Sequence, residues 1–194
     1  MKIKKKKQTR KPSTTLWMVS ILSGLIIVFI LALIFSQPPK AIPVSGGLMG
    51  TEVRIDSADH VVEGSDPGPY YSNPPAGGKH YANDWEAGFY TGDEPDVQVA
   101  YPEGYLVHNL EHGYIIFWYN CALSENCEVL KSQIQSVMDE FGSVKLIAFP
   151  WADMDTPLTL VSWGRILPLE TIDQDIMRQF VQTNRNKAPE PNMP

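Results

Sequence analysis

Histidine is scarce in this chain: four in 194 residues, at His60, His80, His108 and His112, and none elsewhere. Imidazole is the usual ligand for borderline metals and the usual proton carrier near neutral pH, so one stretch holds all of that chemistry. Cysteine is scarcer still. Cys121 and Cys127 are the only two, which limits the chain to one internal bridge. Acids are missing from the first eleven residues, which carry seven cations. Residues 16–35 hold no charge of either sign. No internal repeat is visible, which sets aside solenoids and propellers.

The uncharged run is twenty residues long, about 30 Å of helix and the thickness of a bilayer hydrocarbon core. A cleaved signal peptide also has a basic start and an apolar centre, but a shorter one ending in a small-x-small site. Ser36-Gln37-Pro38-Pro39 is a poor cleavage site. The sequence therefore predicts a basic cytoplasmic tail over residues 1–15 and an uncleaved single-pass anchor over 16–35. A linker follows over 36–52, then an extracytoplasmic domain over 53–186 and a loose proline-rich tail over 187–194. The positive-inside bias places the cations in the cytoplasm and the domain outside the membrane. The basic tail holds seven of the sixteen Lys and Arg, leaving nine against twenty-two acids, a formal charge of −13 outside the anchor. Such a surface repels nucleic acid. The membrane is thus the one partner expected, and protein partners stay unspecified.

Tyr114–Tyr119 is a continuous β-branched and aromatic run, as expected of a strand buried on both faces. Ser124 is a candidate cap for a helix with apolar positions Leu130, Ile134, Val137, Met138 and Phe141, stopped by Gly142. A second buried strand is predicted over residues 144–149, parallel to the first by a right-handed crossover. Two short antiparallel strands are predicted at 158–163 and 165–169 around Gly164. Thr171 and Gln174 read as a capping box for a last helix. Upstream, residues 59–105 lack periodicity but are rich in aromatics, which favours ordered wrapping over disorder.

The motif His108-Asn109-Leu110-Glu111-His112-Gly113 matches H-x-x-E-H of zinc proteases. That chemistry needs a long helix, and Pro102, Gly104 and Gly113 leave room for about two turns, with no third ligand evident downstream. If residues 107–112 are helical, His108 and His112 converge with Glu111 nearby; if extended, the two imidazoles share a face and Glu111 points away. Either geometry lets His80 or His60 close a set suited to copper or zinc. The expected metal ligands are His80, His108, Glu111 and His112, with His60 the weaker fourth imidazole. The competing reading is that the histidines and Glu111 brace the aromatic segment by hydrogen bonds. Gly77-Gly78-Lys79 lacks the remainder of a phosphate loop. Asp153-Met154-Asp155 could face a cation, but such acids are more often simply solvated.

The order β-α-β-β-β-α resembles thioredoxin-like folds, so the fold class expected is α/β with a mixed sheet behind a long aromatic-rich segment. Cys121 and Cys127 then fall where such folds carry a redox pair, and Thr156-Pro157 where they carry a cis-proline. Five residues separate the cysteines instead of two, so a structural disulfide is favoured over a thiol–disulfide engine. Further segments are His60, Tyr71-Ser72-Asn73-Pro74-Pro75, Gly78-Lys79-His80-Tyr81, Trp85, Gly88-Phe89-Tyr90 and residues 107–113. With Asp153–Pro157, Trp163-Gly164-Arg165 and Asn184-Arg185-Asn186, they resemble an uncharacterised bacterial family, the domain of unknown function numbered 3105. The likeness covers roughly residues 50–190, and members often carry one N-terminal membrane helix. Where that family reads Pro-Pro-Thr-Ser-Gly-Pro-His, this chain has Ala76, Gly77 and Lys79. The resemblance implies a shared site and no established activity, so it leaves open whether the protein is an enzyme.

Overall fold

The computed structural model describes residues 14–35 and 41–193. The chain divides into two compact units, one ending at Ala41 and one running from Ile42 to Pro194. In the first, helix α1 spans Thr14–Phe35. Its described side chains, at 18, 19 and 21–31, are exposed. Among the described residues no helix is long and apolar enough to cross a membrane. The span expected at residues 16–35 is therefore not carried by the structure.

The second unit is a mixed α/β domain. Its strands are β1 (Val44–Ser45), β2 (Leu48–Met49), β3 (Thr51–Glu52), β4 (Gly88–Phe89), β5 (Ile115–Tyr119), β6 (Leu146–Pro150), β7 (Leu158–Ser162) and β8 (Arg165–Leu169). Its helices are α2 (Glu103–Glu111), α3 (Cys127–Glu140) and α4 (Gln174–Asn184). The β1–β2 hairpin stands apart, and the other six strands form one sheet in the order β3-β8-β7-β5-β6-β4. Strand β6 runs parallel to β5 and β4, while β7 is antiparallel to β5 and β8.

Side chains alternate across β5. Ile115, Phe117 and Tyr119 enter a core with Leu130, Ile134 and Val137 of α3 and Met177, Phe180 and Val181 of α4. Ile116 and Trp118 enter a second core with Leu106 and Leu110 of α2 and with Ala76, Val97 and Met154. The irregular aromatic segment thus supplies a layer of its own.

Several boundaries differ from the sequence reading. Asn126, not Ser124, caps α3 by accepting from Val129 N, because the intervening residues belong to the Cys121–Cys127 disulfide loop. Asp173 caps α4 through Asp175 N and Ile176 N, while Gln174 donates to Gln133 O instead of closing a box with Thr171. Strand β6 starts at Leu146, since Gly142, Ser143 and Lys145 adopt left-handed backbone in the turn after α3. The cis peptide bonds are Gly68-Pro69 and Asn73-Pro74, and none is at Thr156-Pro157 among the described residues.

Residues 42–52, expected as linker, are part of the domain. Met49 is buried, and its N–H donates to Asn184 Oδ1 at 2.9 Å while its carbonyl accepts from Asn184 Nδ2 at 2.8 Å. The same amide nitrogen donates to Ser162 Oγ at 3.0 Å. Replacing Asn184 with Leu removes three hydrogen bonds among buried groups, so the urea midpoint should fall by the equivalent of about 3 kcal/mol. A variant that unfolds like the parent would show that the hairpin is not tied to α4 in this way.

Candidate metal centre

Helix α2 delivers three of the expected residues. Glu103 in its first turn complements the positive end of the helix dipole. Gly104 is required by close approach, since a Cβ there would lie 2.4 Å from Cε2 of the buried Tyr81 ring. Helical geometry holds through Glu111, with His112 at the C-cap, so the helical alternative is the one realised. His108, Glu111 and His112 therefore sit at i, i+3 and i+4 on one face. Gly113, at φ +86°, then turns the chain into β5.

His80 arrives from the irregular layer. Val61 N donates to His80 O at 2.7 Å and His80 N donates to Asp59 O at 3.3 Å, a parallel bridge that brings His60 alongside. The rings of His60, His80 and His108 form a triangle with centroid separations of 4.8, 5.1 and 5.2 Å. Each of His60, His80, His108 and Glu111 offers a ligand atom within 4.8 Å of the others. His80, His108 and Glu111 are buried, while the His60 side chain is 49% exposed and forms the outer member.

The polar bookkeeping in this group is unbalanced. His80 Nδ1 lies 2.8 Å from Gly78 O, which can only accept, so the ring hydrogen belongs there. Nε2 then presents a lone pair to Glu111 Oε2 at 2.9 Å, and two lone pairs at that distance need a proton or a cation between them. The backbone contact also orients the ring as an outer-sphere acceptor does for a metal-bound histidine. Nδ1 of His108 is buried without a hydrogen-bond partner. Burial first, then the neighbouring imidazoles of His112 and His80, push His108 down to about 4. It is thus a neutral imidazole near pH 7, the form that ligates. Around a tetrahedral ion with bonds of about 2.0–2.1 Å, ligand atoms lie roughly 3.3 Å apart. The present 4.8 Å span needs modest inward movement, available at half-exposed His60.

His112 has other company. Its ring lies 4.3 Å from that of His108, but Nδ1 faces Asp84 Oδ2 at 3.4 Å and Nε2 faces Glu190 Oε2 at 3.7 Å. It stands outside the four-residue group, and its Nδ1, like that of His108, is buried without a hydrogen-bond partner. Glu190 also corrects the expectation of a loose tail over 187–194. The last carbonyls of a helix need donors. Glu190 N donates to Glu111 O at 3.0 Å, Asn186 N donates to Gly113 O at 2.9 Å, and Lys145 Nζ donates to His112 O at 2.9 Å. Lys145 Nζ also donates to Pro191 O and Met193 O. The tail is held because it satisfies the end of α2. Within the motif, buried Asn109 clamps Trp85, accepting from its N–H at 3.1 Å and donating to its carbonyl at 2.7 Å. Asp84, Glu190, Lys145 and the clamping role of Asn109 escaped the sequence reading. Only Asn109 carried a signal, its place inside the motif.

A mixed-sheet α/β domain with one His/Glu cluster beside its central strand is the class these features define. The chain belongs to the family described as protein of unknown function, DUF3105, whose family model matches residues 62–194. His80, His108 and Glu111 lie inside that match, and His60 lies just before it. No curated protein and no solved structure matches the chain. The group that orients His80 is the backbone carbonyl of Gly78, so the side chains of Ala76 and Lys79 take no part in that contact.

The depressed His108 sets a pH dependence. Between about pH 4 and 6.5 the unfolded chain binds a proton at this position that the folded chain refuses. Stability from this group is complete above 6.5 and is lost as pH falls toward 4. Denaturant midpoints measured across that window in chelator should fall more steeply for the parent than for His108→Gln. Equal slopes would remove this account of the ring's environment.

Proposed function

We propose that this protein is a membrane-anchored, extracytoplasmic metal-binding domain, holding one divalent transition-metal ion, zinc or copper, through His60, His80, His108 and Glu111. The carrying observation is the convergence of four ligand atoms within 4.8 Å of one another, three of the residues buried. The orphaned His108 Nδ1 adds support, since a cation would give it a partner. Three imidazoles and one carboxylate suit a borderline ion, and these ligand types do not separate zinc from copper. The structural-bracing reading keeps one specific support, the His80–Glu111 contact, which also pins the irregular layer to α2.

Metal content separates the two. Untagged full-length chain should carry about one equivalent of a single transition metal, lost in His108→Ala and kept in His112→Ala, as the four-ligand geometry requires. Its melting temperature should drop on chelation. A chain that holds only background metal and melts identically with and without chelator would leave bracing as the role.

The anchor reading rests on the cationic start, the uncharged residues 16–35 and the exposed apolar side chains of α1, such as Leu22, Ile26 and Phe29. The expected outcome is that full-length chain stays with the membrane pellet after alkaline carbonate washing, and release into the supernatant would refute it. The thioredoxin-like reading is supported by the run β8-β7-β5-β6 with antiparallel β7, and by α3 connecting parallel β5 and β6. A redox role has weaker support. The disulfide follows the carboxyl end of β5 and the histidine cluster precedes its amino end, so the two do not form one site.

A further inference from the structure

A second feature lies outside the histidine cluster and does not depend on a metal there. Arg165, the first residue of β8, is only 8% exposed. Its guanidinium has five N–H donors. Nη1 is shielded from solvent with no hydrogen-bond partner, and Nη2 has one anionic neighbour, Glu52 Oε2 at 3.3 Å. Glu52 is the residue directly opposite on β3, yet its side chain is 68% exposed, so it is free to swing away.

Arg165 lines a cleft of about 670 Å³ together with the β1–β2 turn, Glu52, Trp163 and Lys187. Gly46 lies over the guanidinium, where even a Cβ would come 3.8 Å from Nη2, and a Cβ on Gly47 would meet nothing within 4 Å. The mouth is therefore free of side chains at the turn. Lys187 is exposed and makes no ion pair among the described residues. Outside the basic tail the chain has nine Lys and Arg against twenty-two acids, and two of those nine meet in this cleft. A nearly buried guanidinium is costly unless its donors are met, and one loose carboxylate meets few of them. Its planar fork matches the paired oxygens of a carboxylate or a phosphate, and a nearby ammonium favours a second negative charge.

We propose that this cleft is a binding site for a small dianion of carboxylate or phosphate type, with Arg165 as the fork, Lys187 as the second cation and the Glu52 carboxylate as an internal occupant that the ligand displaces. Trp163 forms the apolar wall, suited to a carbon skeleton or a ring carried by the ligand. The site takes soluble oxyanions, and the cross-strand ion pair is its closed form.

The test is isothermal titration of the full-length chain with succinate and, separately, inorganic phosphate, each against sodium chloride at matched ionic strength. The chain is stripped of metal with chelator and the chelator, itself a polycarboxylate, is then dialysed away, so that no ion at the histidine cluster contributes and the outcome is independent of the metal reading. Saturable binding of one of the two dianions, with no saturable heat from chloride, is expected, and the stronger of the two identifies the ligand class. Arg165→Gln should weaken binding at least about tenfold, as loss of a charge-assisted fork does. Lys187→Ala should weaken it about threefold, and Glu52→Gln should tighten it by about the same factor, because exposed charges contribute modestly. The last two are exposed surface changes of opposite expected sign, and they decide the matter even if Arg165→Gln fails to fold. Absence of saturable binding in the parent overturns the proposal. So does unchanged affinity in both Lys187→Ala and Glu52→Gln.

Discussion

Strand β5 is buried along its whole length on both faces, and that requirement organises the rest of the domain. One face is covered in the ordinary way, by the apolar stripes of α3 and α4. The other has no long helix available. It is covered by the nine residues of α2 and by a long irregular segment whose rings and prolines pack as a layer. An irregular layer brings its own unpaired backbone groups into the interior, and they have to be matched one by one. The contacts of Asn109 with Trp85, the bridge between His60 and His80, and Gly78 O on the His80 ring are such matches. The histidine cluster stands where this layer meets the end of α2, so covering β5 is also what gathers the ligand atoms.

Legibility followed chemistry that repeats along the chain. Strand β5 and the antiparallel pair β7–β8 are continuous apolar runs with turn signals between them, and α3 has a clear stripe at three- and four-residue spacing. Helix α2 was ambiguous for a physical reason. Gly104 and Leu106–Glu111 are all buried, so it has no polar face to set the period. Caps were misplaced where two suitable residues stand close together, Ser124 near Asn126 and Thr171 near Asp173. Only the path of the chain chooses between them. The proline-rich tail read as loose because composition shows that a segment will not form helix or strand. Composition is silent on whether its N–H groups meet carbonyls left open elsewhere. Glu190 approaches His112 across most of the C-terminal half of the domain, and no local pattern encodes that.

The site itself was legible by scarcity. All four imidazoles lie between His60 and His112, and the structure gathers three of them with Glu111. His112 was grouped with them because the i, i+4 spacing puts it on the His108 face, and its ring does meet that of His108 edge-on. The direction of its nitrogens could not be read from spacing. Asp84 Oδ2 at 3.4 Å and Glu190 Oε2 at 3.7 Å stand near them, Nδ1 has no hydrogen-bond partner, and the ring falls outside the four-residue group. The protease reading failed on flanks, and the structure supplies the reason: Gly113 must turn the chain directly into β5, so α2 has nowhere to continue.

The two candidate sites share a wall. Trp163, in the tight turn between β7 and β8, lies edge-on to the His80 ring at 6.2 Å and also lines the cleft that holds Arg165. The turn cannot shift toward either site alone, because Gly164 N donates to Ala76 O at 2.7 Å and Gly164 O accepts from Val53 N at 2.9 Å. Those two bonds fasten the β7–β8 turn to the loop that carries His80 and to the chain leaving Glu52. Movement of the indole to admit a ligand in the cleft would therefore press on the imidazole most deeply set in the cluster. The cationic cleft and the histidine cluster thus meet at one ring, whose turn is tied to the chain on both sides.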